Sequence, residues 1–185
     1  AAGERITCAR HVDGRVSCWG QGVATPAVVE GVDDAIDVDA GTDFACAVRS
    51  DGVVLCWGSN ESGRLGDGTT TDSATPTEVV GIDDAVSVST GYRSACAVLA
   101  EGSVMCWGNN SSGRLGDGTT TSSPVPVAVS GLTDAVQVTI GLNHACARRS
   151  NGAARCWGGG GFGQLGRGSN GSSPSPVDVV GVSTA

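Results

Sequence analysis

Cys18-Trp19-Gly20, Cys56-Trp57-Gly58, Cys106-Trp107-Gly108 and Cys156-Trp157-Gly158 are four copies of one tripeptide. Each closes a segment opened ten residues earlier by Cys-Ala, at Cys8, Cys46, Cys96 and Cys146. Between the two cysteines sits a turn pair: Asp13-Gly14, Asp51-Gly52, Glu101-Gly102 or Asn151-Gly152. A pair of this kind between apolar runs signals a β-hairpin. With a three-residue loop such as Val12-Asp13-Gly14, His11 faces Arg15 and Cys8 falls opposite Cys18. Counted out from the turn, that pair occupies a non-hydrogen-bonded site, where the Cα atoms approach most closely and a disulfide fits. The spacing predicts bridges Cys8–Cys18, Cys46–Cys56, Cys96–Cys106 and Cys146–Cys156, against the competing reading of buried free thiols. Zinc is the poorer alternative, because cysteines ten residues apart lack the close Cys-x(2–4)-Cys ligand spacing.

The strand after each turn is apolar on both faces. In Val53-Val54-Leu55-Cys56-Trp57 no residue is charged, and a strand dry on both sides belongs between two layers. One hairpin cannot supply those layers, but stacked copies can. Aligned on tryptophan, Trp57, Trp107 and Trp157 recur every fifty residues, while Trp19 precedes Trp57 by thirty-eight. Pro26, Pro76, Pro126 and Pro176 keep the same register, as do Gly31, Gly81, Gly131 and Gly181. The expectation is one repeat domain over 1–185, with repeats about 1–26, 27–76, 77–126 and 127–176, and 177–185 starting the next blade. Four strands per repeat are expected, at 77–81, 85–90, 94–99 and 103–107 in one copy, with Ile82-Asp83-Asp84 as the first turn. The tryptophans Trp19, Trp57, Trp107 and Trp157 are expected to wedge between blades.

A Gly/Ser/Thr-rich loop runs from Gly58 to Pro76 and recurs after Trp107 and, altered, after Trp157; the first repeat lacks twelve of its residues. Because the strand pattern survives that loss, the loop is expected outside the core, with Leu65, Leu115 and Leu165 tucked onto neighbouring strands. Thirty glycines and six prolines agree with short strands and many turns, and no window keeps a helical period. Net charge is −8 and all eleven basic residues are arginine, which argues against a nucleic-acid partner. No apolar run is long enough for a membrane helix, and any targeting segment was removed or left out. Eight regularly paired cysteines point to an extracellular, cell-surface or periplasmic setting.

The motif series Cys-Trp-Gly-x-Asn-x-x-Gly-Arg-Leu-Gly-Asp-Gly-Thr, Pro-x-x-Val-x-Gly, Asp-Ala-x-x-Val and Gly-x-x-x-Ala-Cys-Ala resembles the regulator of chromosome condensation repeat. The resemblance covers essentially the whole chain. It implies an all-β, β-propeller-type array of four-stranded antiparallel blades, in a family whose propellers typically have seven. It also implies protein binding: members include an exchange factor for a small GTPase that also binds chromatin, a secreted bacterial β-lactamase inhibitor, and many bacterial surface proteins. The paired cysteines resemble the secreted bacterial branch. The family's histidine before Ala-Cys survives here only at His144, replaced by Ile6, Phe44 and Ser94. Ala185 matches Ala35 and Ala1-Ala2-Gly3 matches Asp39-Ala40-Gly41, so the first and last repeats share an incomplete blade whose outer strand must come from the chain's own end or another copy.

No catalytic constellation, metal set or cofactor is expected. His11 and His144 occupy unmatched repeat positions; Asp37 and Asp39 have counterparts Ser87 and Ser89; and Arg167 stands where Asp67 and Asp117 would lead a calcium loop. For binding, Tyr92 is the best anchor, since its counterparts Glu4, Thr42 and Leu142 vary, and Arg64 and Arg114 are candidates to join it unless they are solvated loop residues. Asn60, Asn109, Asn110 and Asn170 head possible glycosylation sequons. The sequence thus reads as a non-catalytic extracellular scaffold for a protein partner. A subunit joined to copies of itself in a head-to-tail fibre or ring is the alternative, and an enzyme-inhibitor-like binder comes third.

Overall fold

The computed structural model describes residues 1–182. Among them β1 (Ile6–Arg10), β2 (Val16–Gly20) and β3 (Val23–Val28) form a three-stranded sheet. Three four-stranded sheets follow: β4 (Ala35–Ala40) to β7 (Ser73–Glu78), β8 (Ala85–Thr90) to β11 (Ser123–Ala128), and β12 (Ala135–Ile140) to β15 (Ser173–Asp178). Within them lie β5 (Phe44–Arg49), β6 (Val54–Gly58), β9 (Ser94–Leu99), β10 (Val104–Gly108), β13 (His144–Arg149) and β14 (Ala154–Gly158). Each strand pairs antiparallel with its sequence neighbour, so each sheet is a blade. β4, β8 and β12 lie side by side at the inner edge of the array.

The cysteine register is that of the hairpin geometry. Cys8 pairs with Cys18, Cys46 with Cys56, Cys96 with Cys106 and Cys146 with Cys156. Each pair is disulfide-bonded, with Cα atoms 4.0–4.1 Å apart. His11 N–H donates to the Arg15 carbonyl at 2.8 Å, which sets the three-residue loop.

The phase of the repeat differs from the sequence reading. The strand expected at 77–81 is β7, Ser73–Glu78, and it pairs with β6 of the preceding blade, Cys56 opposite Thr77. The sheets therefore run 35–78, 85–128 and 135–178. Pro76 sits within this outermost strand, where a missing N–H costs no ladder bond. Residues 79–84 are no hairpin turn; they carry the chain from the outer rim of one blade to the inner edge of the next. It follows that blade 1 lacks its inner strand, not the outer one, because β1 corresponds to β5. Among the described residues Ala1 and Ala2 hold the inner position: Ala2 is bridged to Thr7, and Ala1 exchanges backbone hydrogen bonds with Cys8 at 2.8 and 3.0 Å. Residues 177–178 end β15 of blade 4, and the match of Ala185 lies outside the described residues.

Blades stack through two unlike faces. The disulfide face of blade 2, with Phe44, Cys46, Val48, Val54 and Cys56, packs on Ala85, Val88, Ala95, Ala97 and Trp107 of blade 3. Alanine on the receiving face leaves room for the indole beside it. The same pairing of faces recurs between blades 3 and 4 and between blades 1 and 2. Hairpin turns add backbone links. Gly52 takes φ +84°, which glycine adopts without strain, and a Cβ there would lie 2.5 Å from the Asp83 carbonyl oxygen. This close seat lets Ala85 N–H donate to the Gly52 carbonyl at 3.0 Å, while within blade 3 Ala100 N–H donates to the Asp84 carbonyl at 3.0 Å.

Asp37 and Asp39 join inner strands. Val88 N–H donates to Asp37 Oδ2 at 3.0 Å, and Thr90 donates to Asp39 Oδ2 from its N–H at 2.7 Å and its hydroxyl at 3.1 Å. Asp39→Ala leaves these donors without their acceptor and is expected to cost about 1–3 kcal/mol of stability. Thermal denaturation of the oxidised protein checks it, with Ser89→Ala, the same position one blade on, as the milder comparison.

Candidate protein-binding face

The loop after each tryptophan is a strap, and its asparagine organises it. Asn60 Oδ1 accepts from Leu65 N–H at 2.9 Å, while Nδ2 donates to Asp67 Oδ1 at 3.1 Å and to the Thr69 carbonyl at 3.2 Å. Asn110 repeats the pattern with Leu115, Asp117 and Thr119. Both asparagines are fully buried. This corrects the sequon reading at Asn60 and Asn110: a glycan on Nδ2 would tear out the bonds that shape the strap. Asn109 is half-buried, its Oδ1 accepting from Ser111, and Asn170 is exposed.

The strap also belongs to the core, contrary to expectation. Leu65, Leu115 and Leu165 are fully buried, as foreseen, and Arg64 and Arg114 are only 2% and 4% exposed. Neither arginine is a solvated loop residue or a surface anchor. Arg64 Nε donates to the Glu61 carbonyl at 3.0 Å, and its guanidinium lies 5.7 Å from the Phe44 ring centroid. Arg114 donates to the Leu142 carbonyl and to Asn143 Oδ1, both at 2.8 Å. Burial lowers the pKa of both guanidiniums; Glu61 opposes this at Arg64, and Arg93 adds to it at Arg114. Their backbone carbonyls hold the next blade: Trp107 Nε1 donates to Arg64 O at 2.9 Å and Trp157 Nε1 to Arg114 O at 2.8 Å. Trp107 and Trp157 are fully buried and Trp57 is 5% exposed. Trp19 is half-buried, on the face of blade 1 turned away from blade 2.

Straps and axial loops share one end of the array. The axial loops 3–5, 41–43, 91–93 and 141–143 surround a shallow cavity of about 310 Å3 whose lining includes Glu4, Thr42, Tyr92, Ile140 and Leu142. Tyr92, the anchor picked from sequence, stands at its edge, with the Arg93 guanidinium 4.9 Å from its ring centroid. Arg93 in turn pairs with Glu61 of a strap at 3.0 Å. Leu142, 61% exposed, lines the same mouth. Sequence reasoning used Leu142 only as evidence of variability and left aside Phe162, which is 95% exposed. The available signal was a large apolar residue where the other repeats carry a polar one, as Ser62 and Ser112 do opposite Phe162.

Among the described residues no three His, Cys, Asp or Glu side chains gather as a metal site. His11 Nε2 lies 2.8 Å from Ser17 Oγ, and His144 packs over Gly141. The two histidines are not brought together into any common site.

The sequence profile of the regulator of chromosome condensation repeat matches residues 51–98 and 101–148. A second profile of the same description matches 35–64, 85–114 and 135–164. No match was found among curated protein sequences. Similar solved structures include human WBSCR16, at 22% identity and a TM-score of 0.84, covering 96% of this chain and 50% of that one. Prp20p from Saccharomyces cerevisiae, reported with its binding properties to Gsp1p and histones, is 20% identical at a TM-score of 0.85, covering 97% and 49%. Yeast RCC1 (Prp20) bound to Kap60 gives 20% and 0.84, covering 97% and 47%. The chain thus spans about half the length of these proteins, and the likeness is one of fold.

Arg64→Ala is expected to destabilise the protein by about 2–3 kcal/mol, through lost packing between blades and a strap carbonyl left in looser place. Arg15→Ala, which removes an exposed pair with Asp13, should change stability by less than about 0.5 kcal/mol. Urea unfolding of both variants distinguishes a structural arginine from a surface one.

Proposed function

The chain belongs to the regulator of chromosome condensation repeat family, and from that membership we propose that it is a non-catalytic extracellular β-propeller module whose axial face binds a protein partner. The observation that carries this reading is the Tyr92–Arg93–Leu142 cluster at the axial mouth. Tyrosine and arginine are the residue types that anchor protein interfaces, and here the arginine braces the aromatic ring while an exposed leucine lies alongside. Four intra-blade disulfides suit an oxidising compartment. A net charge of −8 disfavours a nucleic-acid backbone as the partner. No helix among the described residues is long and apolar enough to cross a membrane. The proteins that Prp20p and yeast RCC1 are reported to bind lend the reading support at the level of a shared blade architecture. A secreted enzyme is one class of partner such a face accommodates. The test immobilises the oxidised chain and a Tyr92→Ala/Leu142→Ala variant and compares what each captures from the producing cells' medium and envelope. A protein enriched on the parent and lost on the variant supports the reading; identical capture by both overturns it.

A second reading is association with copies of itself. Every internal interface joins a disulfide face to a tryptophan face. The outward side of blade 1 is a tryptophan face, and that of blade 4 is a disulfide face. These two surfaces are complementary in kind, and their contact is heterologous, so it extends head to tail. Sedimentation velocity is expected to show mass rising with concentration; a monomer throughout rules this reading out.

A further inference from the structure

Where a strap is present, it fills a seat built by two blades. At the interface of blades 2 and 3, Gly66 lies against Trp107 and Val79, and Gly63 lies against Pro124. Val80 N–H donates to the Gly66 carbonyl at 3.0 Å, and Gly68 N–H donates to the Pro124 carbonyl at 3.0 Å. The Trp107 indole reaches Arg64 O, and Leu65 fills the base. Blades 3 and 4 hold the same arrangement around Gly116, Trp157, Val129 and Pro174.

Between blades 1 and 2 the seat exists but the strap does not. The chain passes from Gly20 through Gln21-Gly22 directly into β3. The walls are nevertheless retained: Val29 stands for Val79, Glu30 for Val80, Trp57 for Trp107, Ala74 for Pro124 and Thr75 for Val125. They enclose a cleft of about 450 Å3 lined by Ile6, Cys18, Val29, Trp57, Ala74 and Pro76, among others. Among the described residues, neither the Glu30 N–H nor the Trp57 indole N–H has a hydrogen-bond partner. Both are counterparts of donors that a strap carbonyl satisfies in the filled seats. Residues 6–76 build the whole cleft, and it is a size that ordinary ligand pockets share.

We propose that this cleft is a docking site for a loop of a partner protein that carries a glycine-flanked leucine, Gly-x-Leu-Gly, bound as the chain's own straps are bound. The leucine enters the apolar base, the carbonyl before it accepts from the Trp57 indole, and the carbonyl of the glycine after it accepts from Glu30 N–H. The seat also sets the charge of its guest. Where Arg93 pairs with the acidic Glu61 of the resident strap, the empty seat presents Asp43, held by Arg5 at 3.5 Å and Gln21 at 3.4 Å. The fitting loop therefore carries a basic residue at the Glu61 position. Ile6 replaces the Phe44 ring that faces Arg64, so the residue before the leucine need not be arginine. This site lies between two blades, apart from the axial face, and stands independently of the partner proposed there.

The probe is a synthetic peptide of residues 59–70 with Glu61→Lys, titrated into the oxidised full chain and followed by two-dimensional NMR of the indole N–H signals. The Trp57 indole signal is expected to move saturably while those of Trp107 and Trp157 stay fixed. Leu65→Ala in the peptide should weaken binding about tenfold or more, in line with losing a buried leucine contact. The peptide with Glu61 retained should bind less tightly than the Lys form. Trp57→Phe in the protein should weaken binding, read by isothermal titration calorimetry, while leaving the fold, read from the Trp107 and Trp157 indole signals, unchanged. The decisive control replaces Gln21-Gly22 with the sequence of residues 59–72 carrying Glu61→Lys, which supplies a fitting strap in cis and should abolish peptide binding. An unmoved Trp57 signal at saturating peptide, indifference to Leu65→Ala, or equal binding by the strap-restored chain each overturns the proposal.

Discussion

Blades 2 and 3, and blades 3 and 4, are held together by an indole that crosses the gap and is caught by a backbone carbonyl. Trp107 and Trp157 bury the whole ring against the disulfide face of the preceding blade, and their N–H groups end on Arg64 O and Arg114 O. The two halves of that contact depend on each other. A tryptophan buried without a partner for its N–H carries a penalty of about 1–3 kcal/mol, so the strap has to place a carbonyl there. The strap can do so only because Asn60 or Asn110, buried with its amide fully engaged, fixes its path. A four-stranded blade has too little core to stand alone, and the stack distributes one apolar layer per interface among neighbours. The disulfides act at a different level: each closes a short loop within one hairpin, worth roughly 2–3 kcal/mol in the chain-entropy model. They pin the register inside a blade and leave the joints between blades to the indoles and straps.

That division explains what could be read from residues alone. The hairpins, the cysteine pairing and the strands at 85–90 and 94–99 follow from local rules, because turn chemistry and a period of two determine them within ten residues. The phase of the repeat is not local. Whether the proline strand opens a blade or closes the previous one depends on which neighbour it pairs with, and the sequence around Pro76 is compatible with either. Placing it first left the first and last repeats sharing an incomplete blade in want of an outer strand; the observed pairing of Val179 N–H with the Ala154 carbonyl at 3.0 Å lies within blade 4 itself.

The arginines and asparagines of the straps were misjudged for a related reason. A Gly/Ser/Thr-rich segment with scattered charges has the composition of a solvated loop, and composition reports the average exposure of residue types. What buries Arg64 is its position under the next blade, satisfied by Glu61 and the ring of Phe44. A Gly-Arg-Leu-Gly-Asp-Gly run recurring unchanged after two tryptophans was the available sign that the loop had a fixed shape. Tyr92 was legible for the opposite reason: variation among Glu4, Thr42, Tyr92 and Leu142 marks a position where the repeat itself asks for nothing.

Repetition also makes a departure from the pattern informative in a way that a unique fold does not allow. In a unique fold, an apolar cleft says little about what belongs in it. Here the seat between blades 1 and 2 has two filled counterparts within the same molecule, which share its valine and tryptophan walls and make the polar contacts that its free donors lack. Substitutions at its rim, Asp43 in place of Arg93 and Ile6 in place of Phe44, change the guest's charge while preserving the leucine site. The shorter first repeat therefore differs from the others in two coupled respects, a missing strap and an altered rim. A loss of the strap alone would have left Glu61-type acidity as the best match. The altered rim makes the chain's own strap sequence a poor guest and a basic one a better fit, so the cleft is selective against its own repeats.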